Sequence, residues 1–330
     1  MNNSTESFDL NLEPYNSVAF AFTLIGMSGN FVIVLATYKS GRHELRHKWN
    51  YLIGVLGLAD LATCICYASQ HVQIYLGIYP VSQTACFFRS IPALFSLSFA
   101  SASILVVSVD RILMFRLPLR YRSWSSCNYI AGGLVMPTLY SVSLVVCGYV
   151  SKSQTESVSV CITPTALNGF SLDFFIYSNV SLCLLVIGAN FAAYREIQTY
   201  SKTQPRCTTG MRRLGRLQQS ILIVVSLYAS SWLITVSALL ALRVLDVGDV
   251  TRFHVQLYVG WGSDLNVSAN AFVYAWRSLE YRRAFCNAIW CSPYGLTESL
   301  YSSSVRVDRK QTASNDSFSA KISLRPAQPT

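Results

Sequence analysis

The run His43-Glu44-Leu45-Arg46-His47 sets two imidazoles one helical turn apart with a glutamate between them, the arrangement by which a helix holds zinc and supplies a general base. Such a site needs a third protein ligand. The chain has only four histidines, and the other two, His71 and His254, fall at the opposite ends of apolar stretches that measure on the order of 30 Å. Gly41 precedes the run, and metalloprotease chemistry is disfavoured. The remaining candidates are acids set in apolar sequence: Asp60, Asp264 and, at the end of a long apolar stretch, Asp110. In lipid each charge costs at least ~2.5 kcal/mol on insertion scales, so a functional role is the expectation for each.

What must position these groups is a set of helices in a membrane. Hydrophobic residues make up 52% of the chain and charged residues 13%, with a mean hydropathy of +0.36, against about 25% charged in an average soluble domain. A helix crosses a ~30 Å core with ~20 consecutive apolar residues, its backbone groups satisfied internally. Seven stretches qualify, near 17–39, 50–76, 86–115, 127–150, 172–200, 214–243 and 253–277. The expected fold is an all-α membrane protein, a seven-transmembrane helix bundle. Residues 1–16 form its extracellular N-terminus, 17–291 the bundle with a short amphipathic eighth helix, and 292–330 a disordered cytoplasmic tail.

Residues 1–15 carry three acids and no Lys or Arg, unlike a cleavable signal peptide, so the first span is expected to be its own insertion signal. Of the 26 Lys and Arg, only Arg89, Lys152, Arg243 and Arg252 fall on one side of the spans. Basic residues are retained in the cytoplasm, which turns the N-terminus outward from the cell membrane. The net charge of +10 then reflects attraction to anionic inner-leaflet lipids rather than to nucleic acid, because the basic residues flank spans and form no groove-shaped patch. Overlapping sequons at Asn2 and Asn3 are open to glycosylation on the outer side.

Ten cysteines are scattered too widely for a disulfide scaffold or a zinc cluster. Cys86, at the start of the third span, and Cys161, in the loop after the fourth, both fall on the oxidising side and can pair there; two unrelated thiols are the alternative. Inside the bundle, Asn30 on the first span and Asn266 with Asn270 on the seventh, which share a face at i and i+4, can converge on Asp60. A polar patch that glues helices together is the other reading of these four residues.

Gly29-Asn30, Leu58-Ala59-Asp60, Cys86, Asp110-Arg111-Ile112, Pro118, Trp232 and Asn270-Ala271-Phe272-Val273-Tyr274, in that order over about 260 residues, resemble the signatures of rhodopsin-like G-protein-coupled receptors. Lys48-Trp49-Asn50-Tyr51-Leu52, Pro118-Leu119-Arg120-Tyr121-Arg122 and the run from Val273 to Phe285 are similar to the nematode serpentine chemoreceptor class Sx. The resemblance implies a receptor, not an enzyme, that activates a heterotrimeric G protein on ligand binding. It implies that Asp110 and Arg111 pair at rest, that Arg111 meets the carbonyls at the end of a G-protein helix on opening, and that Tyr194 and Tyr274 hold the open state. It also implies a sodium ion among Asn30, Asp60, Asn266 and Asn270 in the resting state.

The departures from that pattern matter. Ala100 stands where a serine would help to hold the sodium ion, so its binding is weak unless Ser98 or Ser101 substitutes, and Val186, Ile234 and Ala271 replace prolines that open helices five, six and seven. No acid occurs between Glu196 and Asp246 to pair with Arg111 from the sixth span, whose inner end presents Arg212, Arg213 and Arg216. The resting state therefore lacks one restraint, and basal signalling is the expectation.

Aligned on Arg111, Ala93 stands where monoamine receptors carry an aspartate, which disfavours a bioamine; the seventh span has no Lys, so no retinal Schiff base forms and no cofactor is called for. The outer half of the bundle offers Ala93, Leu94, Leu97, Trp232, Thr235, Val236, Leu239 and Asp264, suited to a small, largely apolar or weakly cationic ligand, with a peptide left open. Ser278 to Ala288 reads as an amphipathic helix with Tyr281, Phe285 and Ile289 toward lipid and Arg282 and Arg283 toward water. Cys286 and Cys291 are then palmitoylation candidates. The Ser- and Thr-rich tail has little to bury; receptor tails of this kind are phosphorylated by receptor kinases and recruit arrestin. A membrane transporter of a small solute, the alternative, would show internal repeats, broken helices and several midplane charges.

Overall fold

The computed structural model describes residues 13–40, 48–203, 209–245, 248–277 and 279–290. The zinc-like run at 43–47, the sequons at Asn2 and Asn3, Cys291 and the tail lie outside the described residues. The helices are α1 (Glu13–Ser40), α2 (Lys48–Tyr75), α3 (Gln83–Arg116), α4 (Pro118–Ser123), α5 (Ser126–Ser151), α6 (Phe170–Thr203), α7 (Thr209–Val244), α8 (Asp249–Arg277) and α9 (Leu279–Trp290). The seven expected stretches coincide with the seven long helices to within five residues at each end.

Five helices, α1, α2, α3, α5 and α6, are long and apolar enough to cross a membrane by composition. Among the described residues of α7, Ala229–Val244 is a shorter apolar stretch. In α8 the polar residues point inward: Asp264 is 5% exposed, whereas the adjacent Leu265 is 50% exposed and Phe272 and Trp276 are 62% and 70% exposed. A helix with its acid inside and Leu265, Phe272 and Trp276 outside reverses the amphipathicity of a soluble-protein helix, and it is stable where the surroundings are themselves apolar.

The long helices close into a ring. α1 packs on α2 and α8, α2 on α3, α3 on α5 and α6, α6 on α7, and α7 on α8. α3 runs through the middle: 67% of its most apolar window is buried, against 17% for α5 at the periphery. In lipid such packing depends on close approach. Gly148 lets α5 lie on α3, since a Cβ there would strike the Phe87 ring, and Gly26 lets α1 lie between Cys64 of α2 and Ser268 of α8, 2.8 and 3.0 Å from where a Cβ would sit. Prolines interrupt α3 at Pro92 and α5 at Pro137, where the hydroxyls of Ser96 and Ser141 donate to the proline carbonyls at 2.8 Å. α6, α7 and α8 continue through Val186, Ile234 and Ala271.

α2 ends in a left-handed Gly77 (φ +67) with Ile78 N–H bonded to the Gln73 carbonyl and Gly77 N–H to that of Ile74, both at 3.0 Å, a cap that glycine adopts without Cβ strain. Two-residue strands follow, β1 (Val81–Ser82) pairing antiparallel with β2 (Ser157–Val158). Beside them Cys86 and Cys161 form a disulfide, with Cα atoms 5.4 Å apart. Gln83, buried next to it, donates to the Ala166 carbonyl (2.8 Å) and accepts from Ser153 N–H (2.7 Å). The segment between α5 and α6 is thus fastened to the first turn of α3.

The chain forms two compact units, Met1–Phe285 and Cys286–Thr330. Of the second, the described part is 286–290, the last turns of α9, where Cys286 and Ile289 are exposed. In the first unit α9 corrects the sequence expectation: Tyr281 and Phe285 are buried rather than turned to lipid. The Tyr281 ring stacks on Tyr274 (5.0 Å between centroids) and its hydroxyl donates to Asn50 Oδ1 at 3.1 Å. A tyrosine with a buried amide to bond gains more from the bundle than from lipid.

Candidate functional site

A cavity of about 60 Å3 opens at the Cys86 end of the bundle. Leu97 of α3 and Trp232 of α7 line its deep part, with Thr235 and Leu239 above Trp232 on the same helix. α8 contributes Gln256, Gly260, Ser263 and Asp264; α2 contributes Tyr67, Gln70 and His71; α1 contributes Tyr15. Ile162, Thr163 and Pro164, directly after Cys161, form the roof. Leu97, Trp232, Thr235, Leu239 and Asp264 are therefore brought together as the sequence suggested. Ala93, Leu94 and Val236 are not: each is at most 1% exposed and none lines the cavity. The disulfide draws the loop over that part of α3, where Pro164–Ala166 packs, so the open space shifts toward α1, α2 and α8. Tyr15, Tyr67, Gln70 and His71 were missed because helical periodicity in an apolar span does not say which face turns inward.

Several bonds hold these side chains in place. Trp232 Nε1 donates to Asn179 Oδ1 at 3.1 Å, joining α7 to α6. Tyr67 and Ser263 hydroxyls meet at 3.3 Å across α2 and α8. Asn16 Nδ2 donates to the His71 carbonyl at 3.1 Å while its Oδ1 lies 2.8 Å from His71 Nδ1. Toward the rim, Arg243 grips Asp173 through two contacts of 2.8 and 3.2 Å and links the ends of α6 and α7; a pair this exposed adds at most about 1 kcal/mol.

Midway along the bundle, Asn270 Nδ2 donates to Asp60 Oδ2 at 2.7 Å and Asn30 Nδ2 donates to the Val267 carbonyl at 3.0 Å. Asn266 is buried one turn earlier on α8. Asp60 and Asn270 thus meet directly, while Asn30 reaches the backbone of α8 instead of the carboxylate. Ser268 Oγ lies 2.6 Å from both the Phe22 and Asp264 carbonyls, tying α8 to α1.

At the far end of α3, Asp110 and Arg111 are both buried, with Arg111 Nη1 3.6 Å from Asp110 Oδ2. Two hydroxyls that sequence reading did not find donate to Asp110 Oδ1: Tyr121 of α4 at 2.9 Å and Tyr129 of α5 at 2.8 Å. Burial, then the Asp110 charge, holds the Tyr121 hydroxyl above its ordinary pKa, so it remains a donor. Trp124 stacks on Tyr129 at 5.5 Å. Tyr274 is buried against Tyr281. Tyr194 is 46% exposed and its hydroxyl accepts from Gln198 at 3.0 Å, so α6 does not deliver it to the arginine in this conformation.

One helix therefore carries a small cavity at one end and a buried arginine at the other, as in a seven-helix G-protein-coupled receptor. Residues 23–289 match the family model described as serpentine type 7TM GPCR chemoreceptor Srsx, and the chain belongs to that family. Similar proteins include the adenosine receptor A2a of Equus caballus, 22% identical over 82% of this chain and 71% of that receptor. The tachykinin-like peptides receptor 99D of Drosophila melanogaster is 21% identical over 89% and 62%, and the sphingosine 1-phosphate receptor 2 of Rattus norvegicus 22% over 88% and 82%. The protein is a multi-pass membrane receptor that signals through a heterotrimeric G protein, and nothing in these likenesses supports a transporter.

Proposed function

We propose that an extracellular ligand enters the cavity beneath Ile162–Pro164 and that the G protein docks where Arg111 becomes uncovered. The observation that carries this is the course of α3, which lines the cavity with Leu97 and reaches the Asp110–Arg111 pair about 21 Å further along at 1.5 Å per residue. Arg111 is 2% exposed, so a partner meets it only after the helices separate. The distribution of basic residues supports an extracellular N-terminus, with 1–16 outside, 17–291 in the membrane and 292–330 as a cytoplasmic tail for receptor kinase and arrestin. The exposed Cys286 supports palmitoylation beside anionic lipids, and Tyr194 joins Tyr274 at the arginine in the open state. GTP exchange on membranes from cells expressing the full chain, across several G-protein classes, is expected to exceed that of Arg111→Ala. Exchange equal to Arg111→Ala with every class, at confirmed surface expression, would overturn the docking assignment.

The polar cluster supports a resting-state sodium ion. Asp60 supplies a carboxylate, and Asn30 Oδ1 is buried with no hydrogen bond among the described residues, which together make an oxygen set that suits a hard cation. Ala100 brings no hydroxyl, so the ion binds weakly unless Ser98 or Ser101 substitutes. Exchanging sodium for a bulky organic cation at equal ionic strength is expected to raise agonist affinity by less than tenfold, under about 1.4 kcal/mol. Identical affinity in the two salts would remove the ion from the account.

A further inference from the structure

We propose that the cavity at the Cys86 end takes an organic ammonium ion on an apolar body, with the Asp264 carboxylate as its counter-ion. The proposal deepens the receptor reading, on which it rests only for the consequence of binding. Asp264 is 5% exposed and lines the cavity, and among the described residues no hydrogen bond or ion pair reaches its side chain. A buried carboxylate with nothing opposite it is costly, so its partner comes from outside the chain or its charge is given up.

The surroundings select the partner. Among the described residues neither Lys nor Arg lines the cavity, and two basic residues near its rim are engaged: Arg243 with Asp173, and Arg89 with Gln73 at 3.1 Å. Among the described residues no group of three His, Cys, Asp or Glu could hold a metal ion. Beside the neutral oxygens of Gln70, Thr163, Thr235, Gln256 and Ser263, the lining is aromatic: Tyr15, Tyr67, Phe175 and Trp232. Ring faces attract an alkylammonium ion, whose own surface is partly apolar, and they offer little to a bare cation that needs several oxygens.

His71 adds a second acceptor. A backbone carbonyl can only accept, so the Asn16 atom 3.1 Å from the His71 carbonyl is the amide nitrogen. The Asn16 atom facing Nδ1 is then the oxygen, which also only accepts, and Nδ1 carries the imidazole proton. Neutral His71 is left with Nε2 as a lone-pair acceptor. A carboxylate and an imidazole acceptor lining one cavity favour a ligand with N–H donors over an anion, and Gln70 Nε2, buried without a hydrogen bond among the described residues, offers one donor to an acceptor on the ligand. The acid on α8 also answers the argument from Ala93: the counter-ion is absent from α3 but present on the opposite wall. A cavity of about 60 Å3 admits the ammonium head and the adjoining carbons, so the apolar body must part the roof.

The test uses the full-length receptor in detergent, with 2-phenylethylammonium, uncharged 2-phenylethanol and anionic 3-phenylpropanoate as probes at millimolar concentration. The ammonium alone is expected to raise the unfolding temperature by a few degrees, and Asp264→Asn to weaken its binding tenfold or more, about 1.4 kcal/mol. No shift with the ammonium, an equal shift with the alcohol, or a shift preserved in Asp264→Asn overturns the site. If Asp264→Asn does not fold, the comparison of ammonium with alcohol on the unaltered receptor still decides. GTP exchange is read separately: an ammonium-specific shift without exchange leaves the cation site standing and counts against the receptor reading, whereas exchange driven only by uncharged ligands does the reverse.

Discussion

Replacing Cys161 with serine is expected to lower the receptor's unfolding temperature and to cost ligand potency beyond what the loss of stability explains. The disulfide closes a loop of 75 residues, and removing a native bond of this kind typically costs ~2–5 kcal/mol through the freedom it returns to the unfolded chain. A second effect acts in the folded state. Ile162, Thr163 and Pro164 roof the cavity directly after the bonded cysteine, so freeing Cys161 loosens the wall that a ligand must touch. Other bonds limit the damage: Gln83 still bridges Ala166 and Ser153, and β1 still pairs with β2. The loop should therefore loosen rather than leave. Cys86→Ser should match Cys161→Ser, and the double variant should be no worse than either, because all three remove one shared interaction. Calorimetry on purified receptor and a ligand titration at matched surface expression check both parts. Unchanged stability and potency in Cys161→Ser would show that the hairpin and Gln83 suffice without the bond.

The number of helices was legible in the sequence because lipid demands long apolar runs, and even α8, the least apolar of the long helices, keeps Leu265, Phe272 and Trp276 at the spacing of one exposed face. What the ends of α3 do was legible only in part. Asp110 and Arg111 adjoin in the chain, but Tyr121 and Tyr129 reach Asp110 from two other helices, and no local spacing announces a contact made by tertiary packing. The cavity shows the same limit. Leu97 and Trp232 follow from the register of α3 and α7, whereas His71 and Tyr15 depend on the rotation of α1 and α2, and the loss of Ala93 and Leu94 from the lining depends on where a disulfide pulls a loop. For α9, Tyr281 and Phe285 share a buried face while Ile289 is exposed, and the choice between lipid and protein for Tyr281 turns on a buried amide, Asn50, in α2.

Exchanging both Tyr121 and Tyr129 for phenylalanine is expected to raise basal GTP exchange about tenfold. The sequence has no acid on α7 to restrain Arg111, which by itself predicts a leaky resting state. The structure supplies a different restraint. Asp110 Oδ1 accepts from Tyr121 at 2.9 Å and from Tyr129 at 2.8 Å, so one carboxylate on α3 is clamped to α4 and α5 and stays beside Arg111. Hydrogen bonds to a charged group contribute about 1.5–3 kcal/mol each, and only the part lost on activation biases the equilibrium. A difference of 1.4 kcal/mol moves that equilibrium tenfold, which asks the two bonds together to lose about half of the weaker estimate. Tyr129 is further steadied by the stacked Trp124, so Tyr129→Phe keeps the ring in place and removes the hydroxyl alone. Arg111→Ala in the same background should return exchange to that of untransfected membranes, since the clamp acts through the arginine's availability. Basal exchange in the double phenylalanine variant equal to wild type, at matched surface expression and with the coupled G protein present, would mean that the clamp survives activation and that some other contact holds the bundle shut.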